Sequence, residues 1–191
     1  MLLIIIHADL VFLNRTNFKK ILELVILFCV SLALAAPRYK AWNNNYAMIQ
    51  YQNQFGKRLS VTCGALQGMY KVVSVHSNME ADRSWGWECR DVINYSGNET
   101  GCSISHYANE LNRPMIFMCP ANKYIAGVDS YFSSEHGDRR WRFICCGIAD
   151  RLTVSCRQTG FVNDFDGLMN FEADQWEVIN GVFSLYDNST E

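Results

Sequence analysis

A tetrad of the form Asp-Arg-x-Trp occurs twice in this 191-residue chain, and it constrains the fold more than any other feature. The copies read DRSW from Asp82 and DRRW from Asp138, an offset of 56 residues, and each has a Cys four residues after its Trp. An ungapped alignment of the sequence with itself at this offset also aligns Cys63 with Cys119. Self-similarity at a fixed spacing indicates a fold that is built from copies of one supersecondary unit.

A third copy follows at a further offset of 54 residues, which places Phe117 on Phe171. Each copy opens with an Asn that is followed two residues later by Phe or Leu, at Asn53, Asn109 and Asn163. We therefore predict one domain over residues 53–191, with repeats at 53–108, 109–162 and 163–191, preceded by an N-terminal segment of residues 36–52.

The third copy is shorter than the other two. In its register Glu191 corresponds to Gly137, the residue before Asp138, so a third tetrad is expected directly after Glu191. We interpret the sequence as truncated at its C-terminus. The continuation is expected to carry a Cys, four residues after a third Trp, as the disulfide partner of Cys156.

The apolar residues of each copy alternate as in β-strands, and the chain after residue 36 shows no sustained helical period. Alternation in the tetrad strands places Arg83, Trp85, Trp87 and Cys89 on one face. The second copy has Arg139, Trp141, Phe143 and Cys145 on that face, with Arg140, Arg142, Ile144 and Cys146 on the other. The pattern predicts an all-β fold of three repeats in a pseudo-threefold, disulfide-tied, trefoil- or prism-like domain.

Two roles are open for the tetrad. In the structural one, the Trp is an anchor, the Arg stacks along its ring, and the Asp holds that guanidinium or closes the turn into the strand. In the other, the polar residues contact a glycan, one site per copy. The candidate residues for both are Asp82, Arg83, Trp85, Asp138, Arg139 and Trp141.

The cysteine spacing indicates a disulfide framework. Cys63–Cys89 and Cys119–Cys145 each span 26 residues, which predicts an equivalent bond in each of the first two copies. Cys102 and Cys146 then pair with each other. The swapped arrangement, Cys102–Cys145 with Cys119–Cys146, stays open. The third copy has Ala173 at the position of the first Cys.

The N-terminus predicts export. Residues 21–36 form a short apolar run after basic residues, and Ala33 and Ala35 form a small-x-small cleavage signal, so residues 1–35 are predicted to be a signal peptide. A retained N-terminal anchor is the alternative, but the run is shorter than the roughly 20 residues that span a bilayer. Acceptor sequons for N-glycosylation, which suit a secreted glycoprotein, begin at Asn94, Asn98 and Asn188.

Composition and motifs exclude several classes of function. The formal net charge of −2 disfavours nucleic-acid binding. The four His have no metal-ligand spacing, and the VNDFDG stretch over residues 162–167 has two alternating Asp but lacks a full calcium loop, so we interpret it as a turn. No local motif supports a catalytic set. We expect no enzyme activity, no cofactor and no metal.

The sequence resembles the dermatopontin family. The segments that carry the resemblance are DRSWGWEC, DRRWRFIC with its second Cys, FVNDFDG and INGVFSLYDN, and it extends over about residues 46–191. An extra Cys that vertebrate members carry shortly before the position of Cys156 is absent, which is similar to invertebrate members.

The resemblance implies a secreted extracellular matrix protein that supports matrix assembly and cell adhesion. Its implied partners are proteoglycans or glycosaminoglycans, collagen-type matrix proteins, and cell-surface receptors or glycans. It also implies an alternative, because invertebrate members include carbohydrate-binding agglutinins and cytolytic toxins.

Overall fold

The protein is described by a computed structural model that covers residues 1–8, 50–92, 99–148 and 155–186. Within these ranges every regular element is a β-strand, so the predicted all-β class is confirmed. The strands are β1 (Leu2–Ala8), β2 (Leu59–Thr62), β3 (Gln67–Ser77), β4 (Asp82–Asp91), β5 (Glu99–Ile104), β6 (Met115–Met118), β7 (Lys123–Ser133), β8 (Asp138–Ile148), β9 (Ser155–Phe161), β10 (Met169–Glu172) and β11 (Glu177–Ser184).

The strands form three sheets, with the orders β10-β3-β4, β2-β7-β8-β5 and β6-β11-β1-β9, and all neighbouring strands in them are antiparallel. The short strand of each copy pairs with the long strand of the following copy: β2 with β7, and β6 with β11. The short strand of the third copy, β10, returns to β3 of the first. Strand pairing therefore links the three copies in a cycle. The trefoil- or prism-like outline stays a prediction.

The main core lies where the equivalent strands of the three copies face each other. Each short strand begins with a buried apolar residue at the same register position: Leu59 opposite Ser130, Met115 opposite Ser184, and Met169 opposite Ser74. These side chains pack with Trp85, Trp87, Trp141 and Phe143 in one cluster. Burial of large aromatic and aliphatic side chains is the dominant favourable term in such a core.

Strand β1 occupies in the third sheet the position that the tetrad strands β4 and β8 occupy in the other two. The amide of Leu2 donates to the side-chain oxygen of Asn163 (2.9 Å). In the same way Trp85 donates to Asn53 (2.7 Å) and Trp141 to Asn109 (2.9 Å). Leu2 therefore stands at the place of the tetrad Trp. The start of the predicted signal peptide is a strand of the sheet, and its cleavage site lies outside the described residues.

The disulfides are Cys63–Cys89, Cys119–Cys145 and Cys102–Cys146, so the swapped pairing of Cys102 and Cys119 is not the one formed. Ala173 is buried at the position of Cys63 and Cys119. On β9, Cys156 lies opposite His7, which corresponds to Cys146 and is the fifth residue after Leu2.

The predicted glycosylation sites Asn94, Asn98 and Asn188 lie outside the described residues. The described segments contain no helix that is long and apolar enough to cross a bilayer.

Candidate functional site

The tetrad of the first copy is joined to that of the second by a buried ion pair. Arg139 donates from Nε and Nη2 to the two carboxylate oxygens of Asp82, at 2.6 Å each, and both side chains are almost inaccessible. Asp82 also accepts from the amide of Gly56 (2.7 Å). Of the two roles that the sequence left open for the Asp, holding the Arg beside it is not the one observed for Asp82, because adjacent side chains in an extended strand point to opposite sides. The Asp instead holds the Arg of the following copy.

The tetrad tryptophans meet in the core. Trp85 and Trp141 pack edge to face with ring centroids 4.8 Å apart, and both are about 7% exposed. The guanidinium of Arg83 lies 5.9 Å from the Trp85 ring, as the pattern predicted. Arg139 lies instead over Phe132, at 5.6 Å, because the pairing with Asp82 moves it away from its own Trp.

This burial bears on the glycan-contact role of the tetrad. Asp82, Trp85, Arg139 and Trp141 are all buried and offer no surface to a ligand. Arg83 and Asp138 are less buried. Burial raises the pKa of the Asp138 carboxyl, an effect opposed by hydrogen bonds from the amides of Asn112 and Arg139. The geometry therefore favours the structural role.

An accessible group of side chains lies on the opposite face of the second sheet, which we name the arginine face and define as Arg58, Tyr107, Asp129, Arg140 and Arg142. Asp129 and Arg142 are register partners on β7 and β8, and alternation keeps Arg140 on the same side. Arg58 reaches it because Leu59, the residue after it, pairs with Ser130 of β7.

A single buried carboxylate orients two of these arginines. Asp129 accepts from Arg58 at Oδ1 (2.7 Å from Nε) and from Arg142 Nε at Oδ2 (2.6 Å). Its hydrogen bond with Asp129 raises the pKa of Arg142 further above its already high ordinary value, so the guanidinium stays charged. Within the described residues the Nη groups of Arg142 have no protein acceptor, and they remain as oriented donors.

The ring of Tyr107 provides an aromatic surface that both Arg140 and Arg142 contact. The guanidinium carbons of Arg140 and Arg142 lie 4.6 and 5.5 Å from its ring centroid. Tyr131 packs against the same ring edge to face, at 5.5 Å. Glu110, which is largely exposed, pairs with Arg140 (2.8 Å). On the arginine face three guanidinium groups thus outnumber the two carboxylates that pair with them, Asp129 and Glu110.

The arginine face occurs only on the second of the three copies within the described chain. The first copy has Ser84 and Gly86 at the positions of Arg140 and Arg142. A side chain at Gly86 would meet the carbonyl oxygen of Gln50, since an ideal Cβ there lies 2.8 Å from it. The segment before the first copy therefore covers this position and excludes an arginine.

Sequence reasoning found only part of this site. Alternation placed Arg140 and Arg142 on the face away from the core, but it gave no reason to join them to Arg58, because that contact depends on the pairing of β2 with β7. The FVNDFDG stretch forms a turn in which the amide of Gly167 donates to the carbonyl of Asp164 (3.1 Å). No cluster of three or more metal-ligating side chains occurs among the described residues.

These features define a disulfide-bonded all-β protein in which the repeated tetrad is mostly buried and the arginine face is accessible to solvent. The dermatopontin family model matches residues 53–191, and the chain belongs to that family.

Curated relatives agree with this assignment. The chain is 34% identical to dermatopontin of Biomphalaria glabrata over 142 residues, which is 74% of this chain and 93% of that protein. It is 30% identical to the hemagglutinin/amebocyte aggregation factor of Limulus polyphemus over 141 residues, 73% of this chain and 80% of that protein. Millepora cytotoxin-1 of Millepora dichotoma is 31% identical over 83 residues, 44% of this chain and 37% of that protein. No solved structure matches.

Proposed function

We propose that this protein is a secreted, non-enzymatic component of the extracellular matrix that binds anionic glycans through the arginine face. The observation that carries the proposal is the fixed orientation of Arg58 and Arg142 on Asp129, which directs guanidinium donors outward. Preoriented guanidinium groups bind sulfate and carboxylate groups through paired hydrogen bonds. The ligand class is therefore a sulfated or uronate-containing glycan of a proteoglycan.

The aromatic ring adds a second kind of contact. Tyr107 is 39% exposed beside two arginines, so a sugar ring can pack on it while its anionic substituents meet the guanidinium groups. Aromatic residues beside cationic ones are typical of surfaces that bind polar ligands with an apolar face. Such a surface supports matrix assembly and cell adhesion without a cofactor or a metal.

The scaffold suits this role. We propose that the three copies form a pseudo-threefold domain, supported by the cyclic pairing of β2, β6 and β10 with the following long strands. A rigid domain that carries one glycan-binding face can bridge a proteoglycan to collagen-type matrix proteins or to cell-surface receptors through its other surfaces.

A carbohydrate-binding agglutinin or cytolytic toxin is the second candidate. It is favoured by the names of the relatives from Limulus polyphemus and Millepora dichotoma. Exposed apolar side chains on the third copy, among them Trp176 and Leu168, are the surface that such an activity would use. Agglutination of red cells that simple sugars inhibit, with no dependence on Arg142, would favour this candidate.

The test of glycan binding is a comparison of single variants on immobilised heparin. We expect Arg58→Ala and Arg142→Ala to elute at lower salt than the parent protein with little change in thermal unfolding, because in each variant Asp129 keeps one of its two arginine partners. Arg90→Ala is the matched control, since Arg90 also stacks on a tyrosine (Tyr70, 3.6 Å) but lies on the first copy. Equal elution of all four proteins would refute the proposal.

A further inference from the structure

The third sheet ends at β6, and the side of β6 away from β11 has no neighbouring strand in the described chain; we name this side the open edge. The amide of Cys119, directly after β6, donates to the carbonyl of Asn180 on β11 (3.0 Å). In an antiparallel ladder, successive residues turn their main-chain groups to opposite sides. The N–H and C=O groups of Met118, and of Ile116 two residues before it, therefore face the open edge.

The side chains at the open edge are apolar and exposed. Ile116 is 73% exposed and Met118 is 50% exposed. The strands β2 and β10 hold the equivalent edges of the other two sheets and have the same burial pattern. Their residues at the two positions are polar or charged: Ser60 and Thr62 on β2, Asn170 and Glu172 on β10. Charged and polar side chains at an edge oppose the addition of a strand, whereas an exposed apolar edge favours it.

Proline limits the length of the open edge. Pro114 lies two residues before Ile116 and Pro120 lies two residues after Met118, so both belong to the set of residues that faces outward. Proline has no N–H to donate. Between the two prolines, Ile116 and Met118 are therefore the residues whose main chain can both donate and accept, and a strand that pairs here pairs over a short length.

The sequence of the open edge is nearly symmetric about Phe117. From Pro114 to Pro120 it reads PMIFMCP. A second copy that approaches antiparallel, with a twofold axis at Phe117, places Ile116 of each copy opposite Met118 of the other. The outward main-chain groups let each of these two pairs exchange both of its N–H···O=C bonds. The edge is thus complementary to itself in one register.

We propose that β6 is a dimerisation edge, at which two copies of this chain join their third sheets into one continuous antiparallel sheet. Ile116 and Met118 supply the main-chain hydrogen bonds, and their side chains cover each other on the outer face of the sheet. Phe183 lies opposite Ile116 and continues this apolar surface toward Phe161, with 6.0 Å between the ring centroids. Strand addition at an exposed edge is a recurring mode of recognition.

The geometry sets the size and the strength of the assembly. The contact is isologous and uses the open edge of both copies, so association ends at the dimer. The contact is also small, so the dimer is weak and dilute protein is monomeric. On the proposed function, the dimer carries two arginine faces and presents two binding sites to one glycan polymer, which raises its avidity.

Sedimentation velocity of the full chain, from low-micromolar to submillimolar concentration, measures the association. We expect a reversible equilibrium between monomer and dimer. Ile116→Lys and, separately, Met118→Glu should weaken it at least about tenfold, because a charge replaces an apolar contact. Both side chains are exposed, so both variants should unfold at the parent's temperature in dilute solution. Ser60→Lys, at the equivalent position of β2, is the matched control and should dimerise as the parent does.

A mixture of the two charged variants tests the register. In the mixed dimer the new lysine lies opposite the new glutamate, and the other pair keeps its original Met118 and Ile116. The mixture should therefore associate at least about tenfold more tightly than either variant alone. Hydrogen exchange gives a second measurement without any substitution. The amides of Ile116 and Met118 should exchange more slowly as the concentration rises.

Several results would overturn the proposal. They are a monomer throughout the concentration range, growth beyond the dimer, equal weakening by Ser60→Lys, and a mixture that associates no better than its components. Slow exchange of the amides of Ile116 and Met118 at every concentration would overturn it as well, because the chain's own residues would then cover the edge. Arg142→Ala should dimerise as the parent does, and the measurements contain no glycan, so dimerisation and glycan binding are tested separately.

Discussion

At the scale of single residues, the tetrad links neighbouring copies. A carboxylate and a guanidinium that are adjacent in an extended strand point to opposite sides, so Asp82 and Arg83 cannot satisfy each other. Asp82 is satisfied by Arg139 and Gly56, and Arg139 by Asp82 and the carbonyl of Lys57. Removal of one member of such a buried pair leaves the other as an uncompensated charge, so the loss exceeds the lost packing.

We therefore expect the two tetrad arginines to differ in their effect on stability. Arg139→Ala should lower the free energy of unfolding by about 3–5 kcal/mol, because Asp82 would remain buried and unpaired. Arg83→Ala should lower it by about 1–2 kcal/mol, since the hydrogen bonds to Ser74 and Gly167 and the contact with Trp85 are lost but no buried carboxylate loses its ion-pair partner. Urea unfolding of both variants measures the difference. Equal losses would show that the ion pair to Asp82 contributes nothing specific.

At the scale of elements, one register is repeated in all three sheets. Ser74, Ser130 and Ser184 lie at equivalent points of β3, β7 and β11, opposite Trp85, Trp141 and Leu2. A strand thus enters the third sheet by matching the pleat and presenting an apolar residue at the right place, even without the tetrad. In strands, a shift by one residue would turn these side chains away from the core, which explains the common register.

Strand β1 should consequently contribute to the stability of the full chain. Ile4→Ala should cost about 2–5 kcal/mol, the range for a large-to-small change at a buried site. The control is Ile116→Ala on β6, where the side chain is 73% exposed and a change within about 0.5 kcal/mol is expected. The measurement is chemical denaturation of the full chain. An Ile4 variant as stable as the Ile116 variant would contradict the placement of β1.

At the scale of the whole molecule, disulfides and cyclic strand pairing act together. Cys63–Cys89 and Cys119–Cys145 each close a loop of 26 residues, which stabilises by roughly 3–4 kcal/mol in the chain-entropy model. Cys119 and Cys145 lie in the main core, whereas Cys102 is on the exposed strand β5. The third copy has no equivalent bond at Ala173, and there cohesion depends on packing and on strand pairing.

Accessibility should set the order in which these bonds are reduced. Under native conditions and limiting reductant, Cys102–Cys146 should be reduced before Cys119–Cys145, because the attacking thiolate must reach a sulfur atom. Alkylation at timed intervals followed by peptide mapping gives the order. Earlier alkylation of Cys119 than of Cys102 would contradict the burial of the core bond.

The sequence alone determined the all-β class, the equivalent strands and the equal loops between Cys63 and Cys89 and between Cys119 and Cys145, because these depend on local alternation and on spacing. It also placed Arg140 and Arg142 outside the core. Only the tertiary structure joined Arg139 to Asp82 and Arg58 to Asp129, and only it inserted β1 beside β11. These contacts link residues 57, 71 and about 180 positions apart, and local patterning specifies which face a side chain takes but not which distant strand it meets.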